Sequence, residues 1–203
     1  MDKEIYIIRH GETELNRQGI VQGRGVNTDL NETGRMQAAA FYEKYKNIPF
    51  QKIYTSTLKR TYQTVKRFID AGVPSEALSG LDELAWGLWE GKPNDETVIA
   101  AFRDIMERWQ NGDYDAMFEG GESPNMVQFR QKQAVKLIMS RKEEKLILIC
   151  MHGRAMRLLL CLLMNKPLSE MGDFPHQNTT LYRIACTDGT FSIIDFNNTD
   201  HLK

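Results

Sequence analysis

Three short polar segments carry the residues best suited to chemistry. Arg9 and His10 follow the apolar run Glu4 to Ile8, Ser56 through Arg60 follow Lys52 to Thr55, and His152 with Gly153 follows Leu146 to Cys150. A guanidinium offers planar paired donors that match phosphate oxygens. An imidazole nitrogen is nucleophilic near neutral pH without the deprotonation that serine needs. Gathered in one place, these residues suit phosphoryl transfer. His10 would attack phosphorus and become a phosphohistidine, while Arg9, Arg60 and His152 balance the charge on the phosphoryl oxygens. Gly153 would let the backbone approach an anion closely, and free N–H groups at the helix start would favour that anion. Taken singly, each arginine reads more simply as a surface ion pair and each histidine as a structural residue. The convergence of three segments is what carries the phosphate reading.

Such a transfer also needs an acid for the leaving oxygen and a base for the incoming water. Glu83, in LDELAWG, follows the short run Ala77 to Leu81 and precedes two tryptophans. An apolar wall and a nearby phosphate dianion would keep a proton on such a carboxyl. Asp82 and Glu90 compete for the role, and spacing does not separate them. A metal site is disfavoured. The four histidines (His10, His152, His176, His201) show no HxH, HxxxH or HExxH spacing. A phosphate-cradling nucleotide loop is disfavoured too, because neither GxxxxGK[ST] nor GxGxxG occurs.

The elements that must position these residues alternate between strand and helix. Strands are expected at Glu4 to Ile8, Lys52 to Thr55 and Leu146 to Cys150, the last of these central because it is the most apolar. Helices are expected at Leu30 to Tyr45, with Asn31 as cap and Met36, Ala39, Ala40 and Phe41 as the apolar stripe. A second helix is expected at Thr57 to Ile69, with Leu58, Tyr62, Val65 and Ile69 on one face, and a third at Arg154 to Met164. Thr180 to Ala185 and Phe191 to Phe196 read as a hairpin around Thr187-Asp188-Gly189-Thr190. Strands alternating with helices predict an α/β sheet covered on both faces, with ligands beyond the carboxyl ends of its strands. Residues 90–121 fit less well. They are polar, with Trp109, Tyr114, Met117 and Phe118 scattered along them and a helix expected at Thr97 to Trp109. They read as an insertion over the strand ends, a lid. Another helix is expected from GGES-Pro124 to about Lys142.

Composition bounds the partners. The chain has 203 residues, 41% of them hydrophobic, and 26 Lys+Arg against 27 Asp+Glu give a net charge of −1. That balance argues against a broad basic face for nucleic acid. The mean hydropathy is −0.46, and no stretch is apolar and long enough to span a bilayer. The N-terminal MDKEIYIIRHGE does not read as a signal peptide. Three cysteines (Cys150, Cys161, Cys186) without CxxC spacing suit neither a disulfide framework nor a zinc knuckle. A reducing cytoplasm is the expected setting.

Five ordered segments resemble the histidine phosphatase superfamily, in its phosphoglycerate mutase-like branch. RHGET (Arg9 to Thr13), with Asn16 and Gln22-Gly23 after it, resembles the family signature. TSTLKRTYQT (Thr55 to Thr64) is similar to its second arginine segment, and LDELAWGLWEG (Leu81 to Gly91) to its catalytic-acid segment. GGES and MHGRAMR (Met151 to Arg157) resemble the later motifs. The resemblance implies a single domain over 1–203 with the insertion at about 90–121. It implies a three-layer α/β/α sandwich with a mostly parallel sheet, and neither metal nor organic cofactor. It further implies His10 as phosphoryl acceptor, Arg9, Arg60 and His152 as the phosphate pocket, and Glu83 rather than Asp82 as proton donor. Asn16, Gln22 and Gly23 would line the site.

Two features depart from the family pattern. The loop RGVNTDL (Arg24 to Leu30) is one residue longer than usual and has Asn27 and Asp29 where an Asp and Pro-Leu are common. Arg154 stands after His152-Gly153, where a small or polar residue is usual. Arg24, Trp86, Met117, Phe118 and Arg154 are therefore the candidates for contacts outside the phosphate pocket. The two arginines point to an additional anionic group on the substrate. The family's mutases are longer, with a C-terminal tail over the site and a basic, aromatic segment after the acid Glu. Here Ala85 to Gly91 follows Glu83 instead. The expectation is a phosphomonoesterase acting on small phosphorylated metabolites, with a mutase or a non-catalytic phospho-ligand sensor as the alternatives.

Overall fold

The computed structural model describes residues 2–203. A six-stranded sheet forms its centre. The strands are β1 (Lys3–Arg9), β2 (Lys52–Thr55), β3 (Ser75–Ala77), β4 (Leu146–Met151), β5 (Leu181–Thr187) and β6 (Thr190–Asn198). Their order is β3-β2-β4-β1-β5-β6. The β1–β4, β2–β4 and β2–β3 pairs are parallel, and β5 runs antiparallel to both β1 and β6. The most apolar run, β4, is central as expected, beside β1.

The helices are α1 (Glu14–Arg17), α2 (Glu32–Tyr45), α3 (Lys59–Asp70), α4 (Glu96–Gln110), α5 (Pro124–Ser140) and α6 (Gly153–Leu163). They cover both faces of the sheet, which explains why β1 and β4 are apolar at successive positions rather than alternate ones. Ile5, Ile7, Ile147 and Ile149 pack with residues of α4, α5 and α6 in one core. Tyr6, Ile8, Leu148 and Cys150 pack with Phe41 of α2 and Val65 and Phe68 of α3 in the other. The fold is the expected three-layer α/β/α sandwich.

Two helix faces differ from the sequence expectation. In α2 the buried residues are Gly34, Ala38 and Phe41, while Met36 is 61% exposed. Small residues face inward because the helix presses on the backbone that carries His10. A Cβ at Gly34 would lie 2.0 Å from the Glu12 carbonyl oxygen. In α3 the buried face is Arg60, Thr61, Thr64, Val65 and Phe68, and Tyr62 points outward. Here a polar face turns inward because it serves the site. The β5–β6 turn forms as expected. Asp188 (φ 51°) and Gly189 (φ 75°) both adopt the left-handed conformation that a two-residue hairpin turn requires.

The 90–121 segment holds α4 as expected and ends against the segment that follows Glu83, where Trp86 and Gly121 form an isolated bridge. Trp109 is 1% exposed and stacks on Trp86 with ring centroids 5.7 Å apart. Phe118 packs against the same core, whereas Met117 is half exposed. Among the described residues, no helix is long and apolar enough to cross a membrane. Cys150, Cys161 and Cys186 are free and buried.

Candidate active site

The carboxyl ends of β1, β2 and β4 deliver Arg9-His10, Ser56 to Arg60, and His152 to one edge. The His10 and His152 rings lie 5.1 Å apart, centroid to centroid. His10 is held through its Nδ1, 2.7 Å from the Gly11 carbonyl oxygen. A carbonyl only accepts, so Nδ1 carries the hydrogen and the lone pair is left on Nε2. Burial, and then the charges of Arg60 and Arg9, hold the His10 imidazole well below the usual histidine pKa. It is therefore neutral near pH 7, as a nucleophile must be.

His152 is ordered in the opposite sense. Arg60 Nε donates to its Nδ1 at 3.2 Å, so Nε2 bears the hydrogen and points to Ser56 Oγ at 2.7 Å. Ser56 Oγ lies 2.9 Å from Thr61 Oγ1, which donates to the Leu58 carbonyl. Burial and the same arginines keep His152 neutral as well.

Arg60 is fully buried in the first turn of α3. Besides His152, its guanidinium donates to the Val26 carbonyl at 2.7 Å and the Gly23 carbonyl at 3.3 Å. It thus ties the 22–30 loop to the site. Other bonds from α3 complete the attachment: Lys59 N–H donates to Asn27, and Gln63 donates to Asp29. The loop is seated on α3 by its own Asn27 and Asp29.

The helix start at His152-Gly153 differs from expectation. The backbone N–H groups of Arg154 and Ala155 are taken by the Glu83 carboxylate, at 3.1 and 2.8 Å, and Leu84 N–H donates to it at 2.9 Å. The acceptor that this helix terminus meets is a side chain of the protein. Asp82 has other partners: its carboxylate accepts from the Thr57 N–H, the Thr57 hydroxyl and Arg24 Nε. Glu90 accepts from Trp86 N–H and lies against Gly23 and Gly25.

A cavity of about 290 Å³ opens at this edge, lined by Arg9, Asn16, Gln22, Glu83, Trp86, Gly153, Arg154 and His176 among others. Arg24 lies elsewhere, in an adjoining groove with Gly25, Leu88 and Glu90. Gly23 meets the site through its carbonyl on Arg60. Asn16 and Gln22 are anchored as well as exposed to the cavity: Asn16 shares a capping box with Thr13, and Gln22 donates to Thr13 Oγ1 at 2.6 Å.

His176, Asn178 and Thr179 join the site without being expected there. Arg9 donates to His176 Nδ1 at 3.3 Å, and Asn178 Nδ2 donates to both the His10 carbonyl and Asn16 Oδ1. Thr179, at φ 58°, sends its N–H to the Arg9 carbonyl at 3.1 Å. These residues precede a strand instead of following one. Because β5 is antiparallel to β1, its beginning lies at the edge where β1 ends. The hairpin readable in the sequence was the available signal, since one of its two strands must start at that edge. Gly153 is needed beside His176, because a Cβ there would come within 2.5 Å of the imidazole.

Comparisons with known proteins agree with this arrangement. The family model described as histidine phosphatase superfamily (branch 1) matches residues 5–199. Phosphoserine phosphatase 1 of Hydrogenobacter thermophilus is 28% identical over 200 residues, which cover 98% of this chain and 94% of its own. Fructose-2,6-bisphosphatase TIGAR B of Danio rerio is 27% identical, over 91% of this chain and 70% of its own. Among solved structures, YhfR of Bacillus stearothermophilus superposes with a TM-score of 0.86 at 28% identity, covering 99% of this chain and all of that one.

Proposed function

The chain belongs to the histidine phosphatase superfamily, and from that premise we propose that it hydrolyses small-molecule phosphomonoesters through a phosphohistidine on His10. The observation that carries the reading is the state of His10. Its Nδ1 is fixed on the Gly11 carbonyl and its imidazole is held neutral beside two guanidiniums. Nε2 attacks phosphorus, the N–P bond forms, and the ester P–O bond breaks. Arg9, Arg60 and His152 stabilise the charge on the transferring group.

Glu83 is the proposed proton donor to the departing alcohol oxygen. It then takes a proton from the water that attacks the phosphohistidine, and inorganic phosphate leaves with His10 regenerated. Support for Glu83 over Asp82 comes from their surroundings: Glu83 lines the cavity, whereas Asp82 is occupied by Thr57 and Arg24. Asn16, Gln22, Gly23 and Gly153 shape the phosphate end, with Arg24 and Arg154 further out. No metal or organic cofactor enters this scheme. Relatives named as phosphatases favour hydrolysis over mutase chemistry.

We read 1–203 as one catalytic domain with the 90–121 insertion as its outer wall. Trp109 of that insertion stacks on Trp86, which lines the cavity. Free, buried thiols suit a reducing cytoplasm. The test is a panel of phosphorylated metabolites scored for phosphate release, with His10→Ala as the blank. The quenched enzyme should carry acid-labile phosphate on His10. Equal turnover by the alanine variant would refute the scheme.

A further inference from the structure

Arg9 and Arg154 line the cavity, and the charge of Arg157 acts on both of them. Arg9, Arg154 and Arg157 all depress the titration of His176, after burial, and bring it to about 3. Glu83 is the one carboxylate whose charge acts on both Arg9 and Arg154. Among the described residues, none of Arg9, Arg154 and Arg157 has a carboxylate oxygen within 4 Å. Arg157 spends its Nε on the Phe174 carbonyl, and Arg9 donates to His176.

Arg154 has the weakest set of partners. Its guanidinium sits 5.9 Å from the Trp86 ring and 5.8 Å from the Trp109 ring, and its hydrogen bond goes to the Met171 sulfur. Aromatic faces and a thioether orient a guanidinium but leave its charge uncompensated. The side chain lines the 290 Å³ cavity and also a second cavity of about 190 Å³ bounded by Met106, Trp109, Leu168 and Met171. It stands between the two cavities. Its backbone N–H donates to Glu83, the proposed proton donor.

We propose that Arg154 is the specificity residue of this site: its guanidinium receives a second anionic group, carried on the alcohol part of the phosphomonoester. This rests on the hydrolase reading above and names the substrate class, a small phosphoester with a carboxylate or a second phosphate a few bonds from the ester. With Arg9 and Arg60 given to the transferring phosphoryl group, Arg154 is left to bind that second charge, and its planar fork suits either form of it.

Three synthetic esters of equal chain length test the proposal: 3-phosphonooxypropanoate, propane-1,3-diol bisphosphate and n-propyl phosphate. The intact enzyme should prefer at least one of the two acidic esters over the propyl ester by about tenfold or more in kcat/KM, the size of one charge-assisted contact. The acid that wins identifies the group as carboxylate or phosphate. Arg154→Met keeps an unbranched apolar chain against the indoles and should compress that preference to near unity, mainly through KM. Arg154→Lys should restore part of it. A purely structural guanidinium would instead give an equal loss on all three esters in Arg154→Met. That result, or an intact enzyme without preference, would overturn the proposal. Titration of the three esters into His10→Ala reads the same preference as binding. The hydrolase reading can therefore fail, with no phosphate released by the intact enzyme, while the preference for a second anion is still measured.

Discussion

Glu83 Oε1 accepts the Ala155 N–H at 2.8 Å, so the proposed proton donor is the cap of the helix that His152 opens. The link joins two strand ends through one carboxylate. It sets the distance between the group that would protonate the leaving oxygen and the histidine that would face the phosphoryl group. It also makes the acid a structural residue of the site.

Glu83→Gln should separate these two roles. The amide cannot supply a proton, so turnover of alkyl phosphates should fall roughly a hundred- to ten-thousand-fold. Esters whose leaving group is already acidic, such as p-nitrophenyl phosphate, should lose far less. One amide oxygen also replaces two carboxylate acceptors, leaving a backbone N–H short of a partner at a cost of about 1–2 kcal/mol. Leaving-group dependence and a urea titration check the two halves. An equal loss on alkyl and aryl esters would remove Glu83 from the acid role.

Arg60→Lys tests whether the guanidinium fork is required. Lysine keeps the charge but cannot reach His152 Nδ1, the Val26 carbonyl and the Gly23 carbonyl together. We expect kcat/KM to fall on the order of a hundredfold or more and the 22–30 loop to become more open to proteolysis. Retention of full activity would show that charge alone suffices.

Much of this arrangement is legible in the residues. The apolar runs of β1, β2 and β4 have no competing helical period, and each is followed by a residue of the site. The hairpin is marked by Asp188-Gly189, and the cap of α2 by Asn31, whose side chain accepts the Gly34 N–H at 2.8 Å. What escapes is contact between segments far apart in the chain. Met36 looks like core by periodicity, yet α2 is turned so that Gly34 meets the Glu12 carbonyl, a neighbour 22 positions away that no local pattern encodes. His176, Asn178 and Thr179 lie in a loop without periodicity, and their place follows only from the antiparallel pairing of β5 with β1. The partner of the α6 terminus is likewise hidden, because an open helix end and one capped by a distant glutamate have the same local sequence.

The contact of α2 with the nucleophile loop gives a prediction at a residue that carries no chemistry. Gly34→Ala would place a methyl 2.0 Å from a backbone oxygen, so the loop or the helix must move. Overpacking of this kind costs about 1–3 kcal/mol, and the displacement would pass to His10 through Gly11 and Glu12. Both thermal stability and kcat should fall. Lys66→Ala on the exposed face of α3 should change neither. If Gly34→Ala were as active and as stable as the parent, α2 could not be what presses the loop into place.

The histidines make stability depend on pH in a defined direction. Burial, ahead of neighbouring charges, lowers all four: His10 and His152 well below the ordinary value, His176 to about 3 and His201 to about 4. In the unfolded chain each takes up a proton near pH 6.5. The native state does not, so below that pH the unfolded state binds more protons. Stability is therefore fully present above about pH 6.5 and is lost as pH falls toward the native values. The slope is about 1.4 kcal/mol per pH unit for each histidine involved. Urea midpoints should drop steeply between pH 6 and 5, above the range where most carboxylates titrate. His201 allows this to be apportioned, because it lies outside the cavity, packed edge-on against Phe41 and hydrogen-bonded to Thr179 Oγ1 at 3.0 Å. His201→Phe should reduce proton uptake on acid unfolding by close to one, even though losing the Thr179 contact lowers stability at every pH. A midpoint that stays flat from pH 6.5 to 5 would mean that these imidazoles are not held neutral in the folded protein, and the nucleophile assigned to His10 would lose its physical basis.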